Sequence, residues 1–170
     1  MNRFQLAKLI DWAETLESRK RMQKVVFMMQ AAGCPLQVDF YLHRYGPYAS
    51  EVASLTDQLV RDGILDETET TNTYGNSQYK YQLSPLGQTA IEKAVSGASG
   101  TDAILDYESL AKSLLNESLR NIEVASTIVF YRMASMDWET AKQKAFQFKG
   151  VLPSSTEATH AEALARKVFP

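Results

Sequence analysis

Apolar residues recur at helical spacing from the start of the chain. Leu6, Leu9, Ile10, Ala13 and Leu16 fall on one face, with Arg3, Lys8, Asp11 and Glu14 off it. Ser18 interrupts this segment and is placed to cap a second helix. That helix carries Met22, Val25, Val26 and Met29 as its stripe and ends at Gly33 and Pro35. Leu36, Val38 and Phe40 then alternate with Gln37 and Asp39, which predicts an extended piece over 36–41. Gly46 permits a turn, and the fixed φ of Pro47 suits the first turn of a helix over 48–62. Val52, Leu55 and Leu59 face inward there, and Gly63 supplies a left-handed stop.

Beyond Gly63 the period becomes two. Residues 64–70 and 78–83 read as strands, joined by a polar turn containing Asn72, Tyr74, Gly75, Asn76 and Ser77. Tyr79, Tyr81 and Leu83 share one face of the second strand. Ser84-Pro85 opens a further helix, an N-cap followed by proline. The small polar run Ser96 to Thr101 is the best linker in the chain. Everything after it reads helical: a short helix around Leu105 to Leu115, a largely buried one over 119–133, one capped by Asp137, and a last one opened by a Ser154 to Glu157 capping box. The division expected is a domain over 1–98, a linker over 99–106 and an all-helical extension over 107–170.

Helix, strand, helix, two strands and a Ser-Pro helix is the order of a winged helix-turn-helix. The run Tyr81-Gln82-Leu83-Ser84-Pro85-Leu86-Gly87 is similar to the segment that follows the wing in such domains. A closer match lies in Lys20-Arg21-Met22-Gln23-Lys24-Val25-Val26-Phe27, Pro35-Leu36, Tyr45-Gly46-Pro47-Tyr48 and Leu59-Val60-Arg61-Asp62-Gly63-Ile64-Leu65. These resemble the YwgA-like family of uncharacterised bacterial proteins. They are similar, more distantly, to the Panacea domain of certain antitoxins, which also has Tyr-Gly-Pro before a helix. Glu123 to Tyr131 and Trp138 to Ala141 resemble the helical tail of the YwgA-like group, so the match covers most of residues 18–150. The resemblance implies an α+β winged helix-turn-helix domain with a C-terminal all-helical extension. It implies no activity.

Composition narrows the function classes. The 170 residues hold 18 Lys and Arg against 20 Asp and Glu, a net charge of −2, which excludes a basic carpet for nucleic acid but not a local patch. No apolar run approaches the ~20 residues of a membrane span, and the N-terminus has no signal-peptide pattern. A cytoplasmic protein of bacterial type is the expectation. Cys34 is the single cysteine, so neither an internal disulfide nor a cysteine metal cage is available. It lies beside Gly33 and Pro35 with no base nearby, the setting of an inert thiol. His43 and His160 have no ligand-spaced neighbours. No phosphate loop, nucleophile elbow or paired-carboxylate motif appears, so the expectation is no enzyme, no cofactor, no metal and no small-molecule substrate.

Two features remain. Arg19, Lys20, Arg21 and Lys24 make a basic cluster at the start of the second helix, where cations oppose the macrodipole; His43 and Arg44 are candidates to lie near it. Tyrosines at 41, 45, 48, 74, 79 and 81 suit a protein interface. Tyr45, Tyr79 and Tyr81 are assigned to packing and Tyr74, at the wing tip, to the surface. The helix over 48–62 occupies the place of a DNA-reading helix. Its Glu51, Asp57 and Asp62 stand against Arg61 alone, and the wing has Lys80 as its base, a poor balance for phosphate contacts. The reading is therefore a non-catalytic winged-helix interaction module, antitoxin-like or defence-associated, that binds a protein partner or a second copy of itself. The alternative is a DNA-binding transcriptional regulator. Candidate contact residues are Arg19, Lys20, Arg21, Lys24, His43, Arg44, Tyr74, Lys80 and Arg61.

Overall fold

The computed structural model describes residues 1–71, 75 and 77–170. In chain order the elements are α1 (Arg3–Ala13), β1 (Leu16–Glu17), α2 (Arg19–Ala31), β2 (Tyr41–His43), β3 (Gly46–Tyr48), α3 (Ser50–Arg61), β4 (Leu65–Thr71), β5 (Ser77–Leu83), α4 (Pro85–Ser96), α5 (Glu108–Leu115), α6 (Leu119–Met133), α7 (Trp138–Lys149) and α8 (Thr156–Val168). The class is α+β, as the pattern implies. One antiparallel sheet has the order β1-β5-β4, and a second is the β2–β3 hairpin.

Helix α2 sits at the centre. All residues from Met22 to Met29 are buried, because α5, α6, α8, β1 and β3 pack around it. The four-residue stripe read from periodicity is only half of the eight buried positions. Phe27 and Met28 are covered as well. Helix α6, read at its observed bounds, buries Ile122 and Val124 to Val129 against α2, α7 and α8. Buried apolar side chains from Leu6 to Val168 form one cluster, each large one contributing about 1.5–3 kcal/mol.

Several local expectations change. Helix α1 stops at Ala13, and Leu16 pairs with Tyr81 in β1; a two-residue strand is too short for periodicity to separate from a last helical turn. Within the predicted piece 36–41 the alternation is present, with Leu36 and Val38 buried, Gln37 and Asp39 exposed and Phe40 half-buried, and it extends back to buried Cys34 and exposed Pro35. Among the described residues no strand pairs with it. The Gln30 side chain does so instead, donating to Val38 O at 2.9 Å and accepting from Val38 N at 2.8 Å. Pro47 lies in β3 rather than at a helix start, and α3 begins at Ser50. Ser155, not Ser154, caps α8 through Ala158 N at 3.1 Å.

The β4–β5 hairpin is where the period-two signal places it, with Leu65 opposite Leu83 and Thr71 opposite Ser77. The expected turn residues Asn72, Tyr74 and Asn76 lie outside the described residues. The segment read as a linker holds two 3-10 turns, Ala98–Thr101 and Ala103–Tyr107. Asp102 between them accepts hydrogen bonds from Gln5 at 3.1 Å and Asn2 at 3.3 Å, tying this segment to α1. No helix among the described residues is long and apolar enough to cross a membrane.

Candidate functional site

The basic cluster of α2 divides according to helix geometry, since consecutive residues point about 100° apart. Arg19 faces the β4–β5 hairpin. Its guanidinium lies 2.8 Å from Glu67 and 3.0 Å from Asp57, and its Nε donates to the Tyr81 hydroxyl at 2.5 Å. That hydroxyl in turn donates to Glu67 at 2.5 Å. Burial works against the Glu67 carboxylate, but these two donors hold it below the usual carboxylate range. Arg21 turns the other way and donates to the carbonyl of Leu115, the last residue of α5, and to that of Glu117 just beyond it, placing a cation at a helix C-terminus.

Lys24 is internal, with 1% of its surface exposed. Its ammonium donates to Pro47 O at 2.7 Å. Nearby, Lys149 Nζ is 4.0 Å from a Glu123 oxygen, and its side chain is also nearly covered. Burial lowers the Lys24 pKa to about 8; Lys149 and Lys20 push the same way and Glu123 opposes them. Gly46, at φ +96, closes over this group, and a Cβ there would lie 3.0 Å from Thr127 Oγ1 and 3.3 Å from Lys24 Cε. The Tyr45-Gly46-Pro47-Tyr48 block is thus clamped onto α2 and α6. The Gln23 amide adds a second clamp, donating to Ala49 O at 3.0 Å and accepting from Ala49 N at 2.9 Å. It fixes the residue before α3, which has no side-chain cap of its own.

The outer side of the hairpin carries exposed cations and rings. Lys20 Nζ lies 3.9 Å from the centre of the Tyr45 ring, and the Arg44 guanidinium lies 4.5 Å from the same ring while bonding its hydroxyl at 2.5 Å. His43 sits 5.9 Å from the Tyr45 ring and 5.6 Å from that of Tyr48. Tyr41, half exposed, meets Tyr48 edge-on at 5.6 Å. Among the described residues, Lys20, His43 and Arg44 have no carboxylate partner. Between this hairpin, α2 and α3 lies a cavity of about 200 Å³. Buried Met22, Gln23, Lys24 and Thr56 line its depth, half-buried Tyr45, Tyr48 and Ala53 its walls, and exposed Arg19, Lys20 and His43 its mouth.

The structure therefore brings Arg19, Lys20, Lys24, His43 and Arg44 together, although Lys24 lies beneath the surface they form. It places three others elsewhere. Arg21 is committed to α5, Lys80 pairs with Glu17 at 2.6 Å, and Arg61 stands exposed at the end of α3. Tyr74 is outside the described residues. The acids of α3 are engaged within the chain: Glu51 by the Met1 amino group at 3.0 Å, Asp57 by Arg19, and Asp62 by Arg3 at 2.6 Å. The helix face is consequently nearer neutral than its own sequence suggests. The cavity wall, Lys149 and Glu123 are not legible in the sequence, because they meet only when residues distant along the chain pack together.

No protein-family model matches the chain. A relative does. The chain is similar to the uncharacterised protein YwgA of Bacillus subtilis strain 168. The two are 26% identical over 144 residues, which span 85% of this chain and 81% of that protein. The likeness supports kinship with the YwgA-like group.

Proposed function

We propose that the chain is a non-catalytic interaction module that binds an acidic segment of a protein partner through the β2–β3 hairpin and the start of α2. The observation that carries this reading is the convergence of Lys20, His43 and Arg44 on tyrosine rings with no carboxylate among the described residues to neutralise them. Elsewhere on the winged face the acids of α3 and most of the cations are already paired. Unpaired cations beside rigid aromatic rings suit an electronegative, partly apolar partner. The order α1, β1, α2, α3, β4, β5, with β1 beside β5, supports a winged helix-turn-helix scaffold. In that reading the hairpin is an insertion between the second and third helices. The resemblance to the Panacea domain supports an antitoxin-like manner of binding.

The test is a pair of assays on the full chain. Capture from a native host is compared between wild type and the Lys20→Glu, Arg44→Glu double variant, and the captured protein is then titrated purified. Its affinity is expected to fall about tenfold or more in the double variant, a typical loss when facing charges are reversed. The second assay is a duplex mobility shift at about 50 and about 300 mM salt. Duplex retention that collapses with salt and with Arg61→Glu, while the double variant stays unaffected, would replace this reading with the DNA-binding one.

A further inference from the structure

We infer that the cavity between α2, α3 and the β2–β3 hairpin seats one aromatic side chain of the partner, flanked in the partner's sequence by carboxylates. The inference rests on the proposed protein-binding role and specifies what that partner must present. Size is the first consideration. At about 200 Å³ the cavity is below the roughly 300–1,000 Å³ of sites that enclose a whole drug-sized molecule. One ring on a side chain is the right scale. The walls are the second. The Tyr45 and Tyr48 rings and the Met22 thioether offer faces, edges and a polarisable sulfur, the surroundings in which an added ring gains beyond its buried area.

In the cavity's depth Thr56 donates to Val52 O at 2.7 Å, Gln23 holds both polar groups of Ala49, and the buried Lys24 amine donates to Pro47 O at 2.7 Å. A cation or a hydrogen-bond donor entering there would lose its water beside an amine that only donates. The mouth is cationic as well. Lys20 and His43 border it, and Arg44 stands beside Tyr45. Carboxylates on either side of the inserted ring would lie against these cations. A buried anchor inside a charged rim is the arrangement in which a small contact supplies most of an interface's affinity.

The proposal is tested with three labelled peptides and the full chain. The first has a central phenylalanine with two acidic residues on each side; the second has alanine in its place; the third keeps phenylalanine but has lysines for the acids. Fluorescence anisotropy is expected to show the first binding about tenfold tighter than the second, the scale of burying one aromatic side chain. The third should bind more weakly than the first. Ala53→Leu, which fills the cavity with a good helix former, should weaken the first peptide about tenfold and leave the second unchanged. The methyl resonance of Met22 should move with the first peptide and not the second, a readout that needs no variant to fold. Lys20→Glu should weaken both acidic peptides. If the two acidic peptides bind equally, Met22 does not move and Ala53→Leu has no effect, the anchor is refuted while the acid-binding face stands. If no acidic peptide binds and Lys20→Glu changes nothing, the face falls with it. Free phenylacetate binding as tightly as the first peptide would reassign the cavity to a small aromatic acid and overturn the protein anchor.

Discussion

Lys24 is expected to contribute about 2 kcal/mol of added stability as pH climbs from 7 to 10, partly offset by Cys34 and Tyr81, which burial holds protonated above their usual ranges, and Lys24→Met is expected to remove that contribution. A lysine amine ordinarily titrates near 10.5, and burial brings Lys24 down to about 8. Below pH 8 the amine is charged in both folded and unfolded chains, so the full cost of burying an ammonium is present. Between 8 and 10.5 the folded chain has released the proton and the unfolded chain still holds it. The unfolded state then binds more protons, and stability increases with pH. Lys149, lowered by burial in the same region, adds to the slope in the same direction. Methionine keeps the length and apolar stem of the side chain without the charge. Urea unfolding at several pH values across this window measures the effect. A Lys24→Met variant whose stability still climbs as steeply as wild type would show that the buried amine is not the cause.

Gly87→Ala is expected to destabilise the fold by about 3 kcal/mol, the upper end of the cost of overpacking, and to lower the melting midpoint by roughly 10 °C. A Cβ at this position would lie 2.1 Å from Ile64 O and 3.1 Å from Ile64 C, both backbone atoms. Neither can swing aside as a side chain does. Ile64 O is fixed by Ser84 N at 3.0 Å, and Gly87 N is fixed by Ser84 Oγ at 2.9 Å. Accommodating one methyl group would lift the start of α4 from the start of β4. The exposed neighbour Gln88→Ala serves as the control and should change stability by less than about 0.5 kcal/mol. Equal midpoints for the two variants would refute the close approach.

This glycine also marks how far the sequence could be read. The Tyr81 to Gly87 run points to a hairpin followed by a capped helix, and both are present. Its final glycine acquires a physical reason only once Ile64, far back in the chain, is seen to cross it. The same holds at α2. A stripe of four apolar residues predicts a helix with one buried side, whereas Lys24 and Phe27 are buried because α6 covers the other side. Long elements with a clear period, such as α6 and the β4–β5 hairpin, were legible because their own residues carry the signal. The β2–β3 hairpin was not. Three residues per strand give no measurable alternation, and Pro47 reads equally well as a helix start. The cationic residues of the candidate site were visible one by one. Their division into exposed Lys20 and Arg44, internal Lys24 and committed Arg21 depends on neighbours that no local pattern names.

The central place of α2 has a consequence for synthesis. Met22 to Met29 emerge from the ribosome about 90 residues before α6 begins at Leu119, an interval on the order of 5–20 s at ordinary translation rates. During that wait one greasy flank of the helix has nothing to lie against. Nascent chains of this protein should therefore engage holding chaperones, and a message broken ahead of codon 119 should yield a product that is cleared rather than stored.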